Sequence, residues 1–106
     1  MYILTGGYMP DSSMPISQTI PGTTTIIASG SGHIHGFMLQ PDCDCTIQFF
    51  KADGTTEMTG KIHIPMYEQL YCAVQGNGML ITNAGIKLTV NGNTSGRLSG
   101  FVTLYS

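Results

Sequence analysis

The sequence predicts an all-β protein: an antiparallel jelly-roll sandwich of about eight strands with an extended N-terminal arm. Three observations lead there. From Thr23 onward, short runs of alternating apolar and polar residues are interrupted by Gly, Asn or Asp about every 8 to 12 residues, the spacing of a sandwich or barrel. No stretch carries helical periodicity. The chain has no Trp, which an immunoglobulin-like sandwich would more often bury at its centre. At 106 residues it is one domain, large enough to close a core between two sheets but too small to add a substrate domain.

Residues 1–22 differ in composition from the rest. Pro10, Pro15 and Pro21 stand among Gly6, Gly7, Met9, Ser12, Ser13 and Met14, a mixture that favours extended, weakly paired backbone. The segment reads as an arm preceding a jelly-roll domain over residues 23–106. Stretched out, it spans ~70 Å at 3.3 Å per residue, enough to cross to a neighbouring subunit. Tyr2, Met9, Pro10 and Met14 are therefore assigned to contacts with a neighbouring subunit. The competing reading lays the segment along its own sheet as an edge strand beginning at Tyr2-Ile3-Leu4.

The strands follow in order. Thr23 to Ala28 is β-branched almost throughout, and Gly36 to Gln40 follows a turn at Gly30-Ser31-Gly32. Cys45, Ile47 and Phe49 share one face, with Asp44, Thr46 and Gln48 on the other. Asp53-Gly54 is the strongest hairpin signal, since both residues accept positive φ, and it should join this strand to one containing Ile62 and Ile64. Leu70, Cys72 and Val74 alternate with Tyr71 and Ala73. Gly76-Asn77-Gly78 then turns the chain into Met79-Leu80-Ile81, and Asn83-Ala84-Gly85 turns it again. Ile86, Leu88 and Val90 form the next apolar face. After Asn91-Gly92-Asn93 the last strand sets Leu98, Val102 and Leu104 against Phe101, Thr103 and Tyr105. No internal repeat suggests a propeller or solenoid.

Charged residues make up 9% of the chain, where about 25% is usual. Together with seven methionines, this points to a surface that meets another protein. The net charge is −2 and the four Lys and Arg residues are scattered, so no basic stripe offers phosphate contacts and direct nucleic-acid binding is not expected. No stretch has the length of a membrane span, and the N-terminus lacks the charged and apolar regions of a secretory signal. The three cysteines Cys43, Cys45 and Cys72 then read as free core thiols rather than a disulfide framework.

His33-Ile34-His35 is the one candidate metal site, because alternate residues of a strand point the same way. It resembles the histidine pair of the cupins, which are metal-binding jelly rolls. That pattern continues to a glutamate, whereas here Gly36 to Gln40 follow without a carboxylate, and His63 falls on an outer face. Cys43-Asp44-Cys45 lacks the spacing of a structural zinc site. No nucleophile, base and orienting acid form a recognisable motif, so no catalytic residue and no cofactor is assigned. Asp42 and Asp44, beside Pro41, read as solvating a loop. Tyr67, Tyr71, Phe101 and Tyr105 offer a stacking platform for a sugar, although packing between sheets or against a subunit accounts for them more simply.

Taken together, the Pro/Thr-rich start leading to Ile26-Ile27-Ala28, Gly36-Phe37-Met38-Leu39 with the Cys45 to Phe50 strand, and the closing Gly85 to Val90 and Gly100 to Tyr105 strands resemble the jelly-roll capsid decoration, or cement, proteins of tailed bacteriophages. The resemblance implies a non-enzymatic virion protein, made in the bacterial host cytoplasm and placed on the outer capsid surface. It implies a homotrimer that binds the major capsid protein and stabilises coat contacts. The alternative is a carbohydrate- or receptor-binding module of a phage tail or fibre, with Tyr67, Tyr71, Asn77 and Asn93 contacting sugar.

Overall fold

A computed structural model describes residues 12–73 and 80–105, and in these the chain is built of strands alone. They are β1 (Ser12–Ile20), β2 (Gly22–Ile27), β3 (Gly32–Pro41), β4 (Cys45–Phe50), β5 (Ile62–Ile64), β6 (Leu70–Ala73), β7 (Leu80–Thr82), β8 (Ile86–Asn91) and β9 (Gly96–Tyr105). All pairings are antiparallel. The first sheet has the order β1-β9-β3-β6, with β7 also on β3; the second has the order β2-β8-β4-β5.

The register shows that β6 and β7 are two pieces of one edge. Ala73 lies opposite Gly36 and Leu80 opposite Ile34, so the two strands run end to end along the same side of β3. Counted as one, they leave eight strands paired as a rolled-up hairpin: first with last, second with seventh, third with sixth, fourth with fifth. That is the connectivity of a jelly roll, as the turn spacing predicts.

The core lies between the sheets and follows period two. Ile86, Leu88 and Val90 of β8 and Cys45, Ile47 and Phe49 of β4 point inward from the second sheet. Ile34, Leu39, Leu98, Val102, Ile16 and Ile20 face them from the first. Phe37 and Phe49 meet across the gap with ring centroids 5.5 Å apart. Within β3 the register shifts between Ile34 and Gly36, making His35 an extra residue. This bulge exchanges the inward parity from Ile34 to Phe37 and Leu39, which is why alternation predicts only the Gly36 to Gln40 half of the strand.

The described part of the expected arm is not an arm. Residues 12–20 form β1, an edge strand paired with β9 along its whole length. The physical reason is that an edge position tolerates proline, since one side of the strand needs no ladder donor. Met14, Ile16 and Ile20 supply an inward face to which the prolines drew no attention. Tyr2, Met9 and Pro10 lie outside the described residues, as do Val74, the Gly76-Asn77-Gly78 turn and Met79. Gln48, expected on a solvated face, is 6% exposed because residues 51–61 fold over it and the Thr59 carbonyl accepts its side-chain N–H at 2.8 Å.

Candidate functional site

The two outer faces of the sandwich differ in chemistry. On the second sheet the outward positions are polar: Thr23 and Thr25 of β2, Lys87 and Thr89 of β8, Thr46 of β4 and the exposed His63 of β5. On the first sheet, direct cross-strand partners place Pro15, Phe101, Met38 and Tyr71 in one row across β1, β9, β3 and β6. Their rings and side chains face solvent, with Phe101 36% and Tyr71 68% exposed. Farther along, Ile81 of β7, 63% exposed, pairs with His33. Among the described strand residues of this outer face Arg97 is the only one with a fixed charge, and the exposed Asp42 carboxylate lies just past the end of β3.

Of the four aromatic residues that could stack on a sugar, Tyr67, Tyr71 and Phe101 thus do not pack between the sheets, where Phe37 and Phe49 meet instead. The strand alternation that directs Leu98 and Val102 inward sends Phe101 out, and the same rule exposes Tyr71 between Leu70 and Cys72.

At one end of this face the chain builds a shallow cleft of about 270 Å³, lined by Gln40, Pro41, Asp42, Tyr67, Arg97 and Ser99. Its parts are locked to one another. The Arg97 backbone N–H donates to Asp42 Oδ1 at 2.7 Å, and the Asp42 N–H donates to the Arg97 carbonyl at 3.1 Å. The Arg97 guanidinium donates to the Ser17 hydroxyl at 2.9 Å and the Ser17 carbonyl at 3.2 Å. Met66 N–H donates to Asp44 Oδ1 at 2.8 Å. The two aspartates therefore do more than solvate a loop: each fastens the β3–β4 corner to another element, Asp42 to β9 and Asp44 to the β5–β6 turn.

That turn carries an unusual residue. Glu68 N–H donates to the Pro65 carbonyl at 3.1 Å, closing four residues whose third, Tyr67, has φ 65°. Turns of this kind favour Gly or Asn at the third place, and a bulky residue there costs about 1 kcal/mol or more. Tyr67 is held by its own backbone, its N–H donating to the Pro41 carbonyl at 2.9 Å and its carbonyl accepting from Gln40 Nε2 at 3.1 Å. The ring gains little in return, being 67% exposed.

No protein-family model, no curated protein and no solved structure matches this chain. The site is therefore read from its own residues.

His33 and His35 are both half-buried and flank the inward Ile34 on β3. No group of three or more His, Cys, Asp or Glu comes together among the described residues, so the pair gains no third ligand there. Cys43 and Cys45 are buried and Cys72 is half-buried, all as free thiols, in keeping with their reading as core residues. Burial, with Cys43 and Asp44 adding to it, pushes the Cys45 thiol up to about 11, which keeps it protonated and a poor metal ligand at neutral pH. Asn93 lines a different groove, with Asp44, His63 and Asn91, and does not join Tyr67. Asn77 lies outside the described residues. Gln40, Arg97 and Ser99 carry no sequence signal of a site, because their meeting depends on the β3–β9 register.

Proposed function

We propose that this chain is a non-enzymatic virion structural protein of a tailed bacteriophage, a capsid decoration protein that docks on the outer shell as a homotrimer and braces contacts between coat subunits. The observation that carries this reading is the outer face of the first sheet. Protein interfaces are enriched in aromatic residues, Met and Arg and depleted in Lys, Glu and Asp. The row Pro15–Phe101–Met38–Tyr71, with Arg97 four residues farther along β9, has that composition, whereas the opposite face of the sandwich does not. Three strands of nine or ten residues, β1, β9 and β3, with the shorter β6 and β7 along their edge, spaced ~4.8 Å apart, present roughly 500–600 Å², somewhat less than the ~800 Å² that each partner contributes to a standard interface. Repetition over a shell would multiply the strength of each such contact.

The test is copy number and position in assembled particles. Labelled protein should saturate the shell at a fixed ratio to coat protein, and particles lacking it should burst at lower temperature or internal pressure. A few copies confined to the tail would instead assign the protein to adhesion or to a connector. Absence from particles would end the virion reading.

A further inference from the structure

We propose that the cleft beside Tyr67 is a saccharide-binding site that takes a single pyranose ring, stacked against the Tyr67 phenol. This proposal does not depend on where the protein sits in a particle.

Tyr67 stands where its backbone would favour Gly, at φ 65°, and its ring is 67% exposed, so packing within the chain does not account for the side chain. A residue that breaks a local rule without a compensating contact points to a contact made with something else. The backbone on both sides of the ring is already fixed by Pro41 and Gln40, so the ring is presented from a set position.

What it is presented to is chemically specific. Arg97 and Gln40 bring N–H donors, the Ser99 hydroxyl donates or accepts, and the Asp42 carboxylate accepts. Sugar hydroxyls do both, while the apolar C–H face of a pyranose suits an aromatic ring. The cleft, at about 270 Å³, falls just below the range of about 300–1,000 Å³ typical of drug-sized ligands, which fits one ring rather than a long chain. The Asp42 carboxylate disfavours a phosphate-bearing ligand. A flat protein partner matches the neighbouring apolar row better than this polar hollow. Arg97 and Asp42 are already held by Ser17 and by the Arg97 N–H, so binding would order little that is not ordered beforehand.

The experiment is a glycan-array screen of the purified protein, followed by calorimetric titration with the methyl glycosides of glucose, galactose, mannose and N-acetylglucosamine. At least one should bind saturably with a Kd on the order of 1 mM, the scale for so small a ligand. Tyr67→Gly should weaken it about tenfold or more. The same variant should melt at the same temperature or higher, because glycine relieves the backbone. Tyr67→Asn, also at ease with positive φ, should behave alike, Tyr67→Phe should retain binding, and Tyr71→Ser, outside the cleft, should leave it unchanged. No saturable binding to any glycan, or full binding by Tyr67→Gly, would overturn the proposal. So would a Tyr67→Gly protein whose only defect is weaker association with shells or with its own copies, which would make Tyr67 a protein contact.

Discussion

Single side chains decide how the corners of this sandwich are closed, and Asp53 shows it most directly. Its Oδ1 accepts the N–H groups of Thr55 and Thr56, each at 2.8 Å, and its Oδ2 accepts the Thr56 hydroxyl. The Thr56 side-chain and backbone bonds, joined by Thr55, hold the carboxyl down to about 2 from its ordinary 3.8. Because the folded value is the lower one, the turn contributes its stability above pH 3.8 and loses it as the pH falls through about 2. Asp53→Asn should therefore flatten this part of the acid-unfolding curve. In the parent protein this pH dependence should persist in high salt, because hydrogen bonds within the turn, and not distant charges, lower the carboxyl. Carboxyl-carbon shifts followed by NMR, together with urea midpoints between pH 2 and pH 5, would check both statements. A turn at Asp53-Gly54 was legible in the sequence, since its bonds lie within three positions. It is not the tight hairpin expected there: Gly54 takes φ 78° while Asp53 does not take positive φ, and residues 51–61 join β4 to β5. The bonds of Asp42 and Asp44 were not legible, since their partners stand 55 and 22 positions away and only the finished fold brings them near.

Elements were legible wherever alternation is uninterrupted. β4 and β8 have the inward faces that period two assigns them, Cys45-Ile47-Phe49 and Ile86-Leu88-Val90. Alternation failed to bound β1, whose prolines suggested an arm, and β3, whose bulge at His35 breaks the period. It also gave no sign that β6 and β7 share one edge, because collinearity is a property of their common partner β3. The pairing of β3 with β9 depends on Gly100, which lies opposite Leu39 with φ 142°. A Cβ on Gly100 would fall 1.9 Å from the Met38 carbonyl oxygen, a clash that only backbone movement relieves. Gly100→Ala should cost about 3 kcal/mol, from overpacking and the positive φ together. At Gly30, with φ 77° but nothing within 4 Å of the added carbon, the same change should cost about 1 kcal/mol. Urea denaturation of the two variants gives the comparison, and equal losses would mean that the β3–β9 approach is looser than the register implies.

At the scale of the whole molecule, the rolled hairpin gives two solvent faces to one core, so each face can vary while the packing between them stays fixed. The outer face of the first sheet has spent its freedom on an apolar row with no acid, and that of the second on threonine, lysine and a solvated histidine. Folding does not demand this asymmetry, because either composition would wet a sheet whose other side is buried. It matters only if one face meets a partner. The two faces can be separated by the same substitution made once on each, Tyr71→Glu on the first sheet and Thr25→Glu on the second. Both positions are exposed and lie outside the core, so each variant should stay within about 0.5 kcal/mol of the parent in stability. Under the assembly reading, Tyr71→Glu places a carboxylate at the end of the row that becomes desolvated on docking, while Thr25→Glu adds one to a face that remains wet. Burying an unpaired charge is costly, so Tyr71→Glu should weaken association about a hundredfold and Thr25→Glu by less than about twofold. Sedimentation velocity of the isolated protein and saturation binding to shells would measure the difference. Equal weakening would show that long-range charge rather than the row governs association, and the opposite order would place the docking surface on the threonine face.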